Sequence, residues 1–412
     1  MNEYDDLTTR LSQTLADHSD AMAGSSLGLG DVQGRARSIR RRRTATAVAG
    51  AAAAVALLVP TVALASHTNA THNEPGPATQ TPTSTQTATT VDTDAPLDVQ
   101  DLPAGEAPRT GYLEGQTLHL PDGSTAATGT ADPASRVVLL TDGTAVYQTR
   151  DDQGVTHVEV VDGAGDRHGP YGGQEGLLGN ATHTLAAWIG TDGYPVAWQS
   201  GDTAPLRLST KAGDVGLQLD GVIGDDCTGD PGCRMLVRST DSQTGEVHDV
   251  VVSSRNGLES AGSSGGDWVN ALSESGLRAV YTATGDTSSC SSVVTADGQR
   301  MWRTCDHQVT SFSPDSDRAA AYLPYFDGVG SSDIGAYDVA SGQVLFDHQS
   351  TRKTQAFVAS SVWEDDSHLL GTTFQGGSWY VVRYGVDGSM EIAAGPQHAD
   401  MGANPYVLPG QR

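Results

Sequence analysis

From residue 109 to the C-terminus, short apolar runs alternate with polar turns, and no segment holds a 3.6-residue period. Runs rich in Val, Leu, Tyr and Trp are bounded by turn residues, and Asp-Gly recurs at Asp122, Asp142, Asp162, Asp192, Asp220, Asp297, Asp327 and Asp387. Asp-Gly between alternating apolar runs is a strong hairpin signal, because glycine supplies the positive φ that a type I′ turn needs. The pattern predicts β-strands throughout this region. The preceding chain reads differently. Residues 44–65, TATAVAGAAAAVALLVPTVALA, carry no charge over 22 positions, and an α-helix needs about 20 apolar residues to cross a bilayer. Pro60 falls near the far end of that stretch, where a kink is tolerated. Residues 67–108 are mostly Thr, Pro, Ala, Gln and Asp, too poor in large apolar groups to offset ordering entropy, so a disordered stalk is expected.

The most legible unit is SFSPDSDRAAAYLPYFDGVGSSDIGAYDVASGQVLFDH, residues 311–348. Phe312 ends one strand, Ser313-Pro314-Asp315-Ser316 turns, and strands follow at 319–323, 334–339 and 344–346, with Ser341-Gly342 between the last two. This unit resembles a blade of the WD40 and TolB-like β-propellers. It departs from them at Ser316, where those repeats favour Gly, a change that a type I turn tolerates.

The last turn of the unit recurs. Its glycine can be placed at Gly123, Gly163, Gly201, Gly245, Gly298, Gly342 and Gly388, a period of about 44 residues, which suits a four-stranded blade. Seven such turns predict an all-β propeller of seven four-stranded blades over residues 109–412. The hairpin at 117–128 starts too soon to own four strands, so its missing strands must come from residues 389–412, where Tyr406-Val407-Leu408 is the one clear apolar run. Six blades, or a pair of β-sandwiches, are the structural alternatives.

Charge adds an address. The chain has 24 Lys and Arg against 50 Asp and Glu, a net charge of −26. That balance disfavours a nucleic-acid binder, which needs a basic face. Residues 1–34 hold six acids and one arginine, whereas residues 35–43 read RARSIRRRR. Arg35, Arg37, Arg40, Arg41, Arg42 and Arg43 would keep the N-terminal side cytoplasmic and send the rest outward. The resulting division is a cytoplasmic tail (1–43), a transmembrane signal-anchor (44–66), a stalk (67–108) and an exported propeller (109–412). Ala63-Leu64-Ala65 also fits a signal-peptidase site, although the 43 residues before the apolar stretch favour a retained anchor. Leu7, Leu11 and Leu15 mark a weak amphipathic helix within residues 4–22. The layout resembles actinobacterial single-pass membrane proteins, some of them anti-sigma-like regulators. It lacks the His/Cys zinc cluster of one such group, since the tail has no cysteine.

Cys290 and Cys305 are symmetric about Asp297-Gly298, so a hairpin there sets them opposite each other, within disulfide range. Cys227 and Cys233 close the tight acidic loop DDCTGDPGC. Two local pairs in an exported domain predict two disulfides.

Catalytic motifs are few. Gly262-Ser263-Ser264-Gly265-Gly266 matches G-x-S-x-G, but in a Gly/Ser loop without the strand and helix that a nucleophile elbow requires. The 12 histidines include no H-x-x-x-H. Asp225, Asp226 and Asp230 lack EF-hand spacing and read as a solvated loop. Glu364, Asp365 and Asp366 fall in another blade's turn. Tyr322, Tyr325, Phe326, Trp198, Trp268 and Trp363 are strand packing or exposed contact surface. No catalytic residue, metal site or cofactor is assigned. The expectation is a membrane-anchored binding or sensing module for a protein, peptide or cell-envelope ligand. A transmembrane regulator whose residues 4–34 bind a cytoplasmic protein is one alternative, and an exported hydrolase or lyase is another.

Overall fold

A computed structural model describes residues 95–410, apart from 175, 214–215, 241–246, 262–266, 286–287 and 325–329. The tail, the arginine run, the apolar stretch, residues 67–94, the G-x-S-x-G loop, Tyr325, Phe326 and Asp327 therefore lie outside the described residues.

The strands form seven four-stranded antiparallel sheets, so the protein is a seven-bladed β-propeller. Blade one takes Tyr112–Glu114, Thr117–His119 and Thr125–Ala127 from the start of the ring and its inner strand, Tyr406–Val407, from the end. Blades two to seven follow in chain order, with inner strands Ala134–Leu139, Leu178–Gly179, Leu217–Ile223, Trp268–Leu272, Gln308–Phe312 and Phe357–Trp363. The C-terminal closure and the seven repeats agree with the sequence pattern, and the six-blade and sandwich alternatives fall.

Burial follows position within a blade. The second strand of blade three, Leu185–Ile189, is buried along its whole length, whereas the outermost strand of blade two, Arg167–Gly172, is mostly exposed. A strand covered on both faces reads as a continuous apolar run, and an edge strand does not. Trp188, Trp198 and Trp379 are among the largest side chains buried between blades. Each removes on the order of 150–250 Å² from water, a gross gain of roughly 4–6 kcal/mol before ordering entropy is subtracted.

The repeat unit at 311–348 forms blade six, with strands Gln308–Phe312, Arg318–Tyr322, Asp333–Asp338 and Val344–Gln349. Ser316 adopts φ 67°, the left-handed conformation in which a glycine would sit without strain. Its hydroxyl accepts a hydrogen bond from the Ser275 N–H of blade five at 3.3 Å. The serine at this position thus adds a contact between blades.

Three expectations are corrected. Gly245 is not the last turn of blade four, which lies at Asn256-Gly257 between Val247–Ser253 and Gly257–Ser260. Asp220-Gly221 is not a hairpin but lies inside an inner strand, at a register shift between Leu219 and Gly221. Residues 95–108 are not stalk. Leu97 and Val99 are buried among the side chains of blades six and seven. Leu97 N–H bonds the Gln349 carbonyl at 2.9 Å, and Ala104 bridges Ile392 in parallel. Two apolar residues suffice when the rest of the segment satisfies its backbone on strand edges.

Candidate ligand-binding channel

The inner strands converge on a central cavity of about 470 Å³, whose lining includes residues of blades two to seven and Pro409 and Gly410 after the closing strand. A feature repeats on its wall. The inner strands of blades four to seven each shift register once, between Leu219 and Gly221, Val269 and Ala271, Val309 and Ser311, and Val358 and Ser360. The extra residues are Asp220, Asn270, Thr310 and Ala359, and all four line the cavity. A bulge leaves one residue out of the ladder and re-aims its side chain. Three of the four are polar.

These groups are held by bonds that run from blade to blade. Arg238 sets Nη2 3.0 Å from Asp220 Oδ2 and Nε 3.3 Å from Asp249 Oδ1. It also donates from Nη2 to the Val269 carbonyl of blade five at 2.8 Å. Its guanidinium lies 5.6 Å from the centre of the Trp268 ring, which stacks on Tyr281. Burial pushes the Asp249 carboxyl above its ordinary range, against the pull of the Val269 N–H and the Arg238 charge. Asn270 accepts from Trp268 Nε1 at 2.9 Å and donates to the Val309 carbonyl of blade six at 3.3 Å. Tyr322 donates to Ser361 Oγ of blade seven at 2.7 Å, and burial drives its phenol pKa up.

Toward one end the lining passes onto the turns after the inner strands, where His183 and Glu274 sit. Burial lowers the His183 pKa and raises that of Glu274, so both neutral forms are favoured. The channel therefore offers hydrogen-bond donors and acceptors around one guanidinium balanced by two carboxylates.

The cysteines pair as Cys227–Cys233 and Cys290–Cys305. The second pair obeys the symmetry argument for a reason the sequence did not reveal. The loop is longer than two residues, but a register shift between Val293 and Val294 restores the pairing of Ser291 with Thr304. Trp198 is wholly buried, Trp363 nearly so, and Trp268 partly. In the acidic loop, Asp226 accepts from the Thr228 N–H and hydroxyl, both at 2.7 Å, and these bonds lower its pKa to about 2. Glu364 is buried on Arg383, with Nη2 to Oε1 at 2.9 Å. Sequence reasoning found none of the four bulge residues. Polar residues inside otherwise apolar runs were the available signal.

No family model matches the chain, and no curated protein matches it. Among solved structures it is similar to the β-propeller domain of Cps50 (Swd1) from Myceliophteria thermophila, at 9% identity and TM-score 0.42, covering 66% of this chain and 88% of that one. It is also similar to KlAtg21, solved in complex with the coiled-coil of AgAtg16, at 11% identity and TM-score 0.42, covering 74% and 100%. At such identities and scores the seven closed sheets, not the likenesses, identify the architecture. The chain is a seven-bladed β-propeller whose central channel is lined by both polar and apolar side chains.

Proposed function

We propose that this protein is a binding or sensing module, tethered to the cell membrane by residues 44–66, which presents its propeller outside the cell to a peptide or cell-envelope ligand. The observation that carries the binding role is the channel wall, where Asp220, Asn270 and Thr310 from three successive blades meet one cavity. Ligand sites gather a few placed polar groups within a concave surface of this size class. Fold alone does not assign a function, so the reading rests on that wall. The tether rests on the uncharged stretch and the arginines before it, the arrangement expected of a signal-anchor.

Ala359→Phe tests the role by placing a ring in the cavity. Peptide and cell-wall glycan arrays are probed with parent and variant of equal thermal midpoint. Ligands retained by the parent should be lost by the variant, and equal retention would remove the channel from the reading. Mass spectrometry of washed native membranes tests the tether. A retained residue 1–43 segment supports it, and a mature chain starting at Ser66 sinks it.

A further inference from the structure

On blade six, three side chains outside the cavity lining converge. His307 immediately precedes the inner strand, Asp333 opens the third strand, and Asp347 lies in the fourth. His307 Nε2 is 3.4 Å from Asp333 Oδ2 and 3.4 Å from Asp347 Oδ1, and the three atoms lie within 4.8 Å of one another. The His307 and Asp333 side chains are 6% and 1% exposed, and Asp347 is 20% exposed.

We propose that His307, Asp333 and Asp347 bind one divalent transition cation of the zinc class. Three observations carry this. The first is spacing. Charge-assisted N–H···O bonds close to about 2.7–2.9 Å, so 3.4 Å is long for either contact. With metal–nitrogen and metal–oxygen bonds of about 2.0–2.2 Å, the edge of a tetrahedron comes to roughly 3.3–3.5 Å. Both observed distances match that edge.

The second is the set of atoms left over. Asp333 Oδ2 and Asp347 Oδ1 are both buried, and each faces the single Nε2 of His307 at 3.4 Å with no closer hydrogen bond. Buried carboxylate oxygens cost free energy unless something compensates them fully. One imidazolium supplies a single positive charge to two carboxylates, whereas a divalent cation with a neutral imidazole balances both.

The third is that each residue's other polar atom is already held. His307 Nδ1 is 2.6 Å from the Tyr337 hydroxyl. Asp333 Oδ1 accepts from Ser331 Oγ at 3.2 Å, and Asp347 Oδ2 accepts from Gln349 Nε2 at 2.7 Å. Such outer partners fix ligand orientation at metal sites, and here they leave Nε2, Oδ2 and Oδ1 as the atoms that lie within 4.8 Å of one another. One nitrogen and two carboxylate oxygens select a borderline cation over Ca²⁺ or Mg²⁺, which take oxygen alone. Three protein ligands leave the fourth position to water or to an incoming group.

The test is equilibrium dialysis of the purified full-length protein, after chelator treatment, against Zn²⁺, with Ca²⁺ and Mg²⁺ in parallel. One Zn²⁺ per chain is expected, with a raised thermal midpoint, and binding weakened by about 100-fold or more in Asp347→Asn, since losing a ligand costs more than losing one of its outer partners. Asp226→Asn, in the acidic loop of blade four, should bind as the parent does. Asp347 is the most exposed of the three, so its variant should fold, and His307→Gln is the second variant. Absence of stoichiometric Zn²⁺ would make the cluster a structural ion triad and overturn the proposal. Zn²⁺ binding unchanged in both variants, or binding of Ca²⁺ and Mg²⁺ but not Zn²⁺, would also overturn it.

Discussion

Leu113 pairs directly with Val407, so a strand from the beginning of the ring and one from its end close the same sheet. Closing a ring this way removes two open sheet edges, each a liability for aggregation. The closing strand is only two residues long, Tyr406–Val407, and its hold comes from side chains. Tyr406 is 1% exposed and Leu408 0%.

Tyr406 should therefore separate packing from polarity. Its hydroxyl is buried without a hydrogen-bond partner, so Tyr406→Phe removes an uncompensated group and should raise stability by about 1 kcal/mol. Tyr406→Ala should lower it by about 3–5 kcal/mol, as aromatic truncations in cores do. Guanidinium unfolding of both variants checks the pair, and a destabilised Phe variant would contradict the packing account.

Arg383 fastens the segment before blade one to blade seven. It is 4% exposed, bonds Glu364, and donates to the Glu106 and Ala107 carbonyls at 3.1 and 3.2 Å. Glu364 Oε1 in turn accepts from the Arg109 N–H at 2.6 Å. Breaking a buried pair from one side costs about 3–5 kcal/mol, because the other charge is stranded. Arg383→Met should show that loss in urea unfolding. Adding Glu364→Leu should recover a large part of it.

Glu274 gives a pH dependence with a defined sign. Burial raises its folded-state pKa above the ordinary carboxyl value, against the pull of the Gly224 and Ala181 backbone N–H groups. A raised carboxyl pKa means the folded state holds the proton more tightly. The associated stability is present in acid and is lost as pH rises through the folded pKa. Glu274→Gln should accordingly have a higher thermal midpoint than the parent at pH 7, with the difference vanishing below about pH 4, where the parent is protonated both folded and unfolded. A difference independent of pH would contradict this.

The two disulfides should contribute unequally. Cys290 and Cys305 are separated by 15 residues and Cys227 and Cys233 by 6. Loop-closure entropy predicts losses of about 3 and about 2 kcal/mol on replacing each pair with alanines. Unfolding of the two double variants under oxidising conditions measures both.

What the sequence determined was local. Blade six was legible strand by strand, because its apolar runs and the Ser313–Ser316 and Ser341-Gly342 turns act over a few residues. The cysteine pairs were legible for the same reason, and the closing strand was found by counting. What only the tertiary structure decided depends on neighbours distant in the chain. Asp220-Gly221 has the composition of a turn, yet it is a bulge within an inner strand, at the place where the inner strands of blades five to seven also shift register. Leu97 and Val99 are a weak apolar signal, but the edges of blades six and seven supply the hydrogen bonds that their own segment lacks. His307, Asp333 and Asp347 are dispersed over 41 residues of sequence with no motif spacing. They become a cluster because strand order within a blade brings the residue before its inner strand, its third strand and its fourth strand together. Periodicity encodes strands and turns, which are short-range, whereas a site in this fold is assembled across strands and blades.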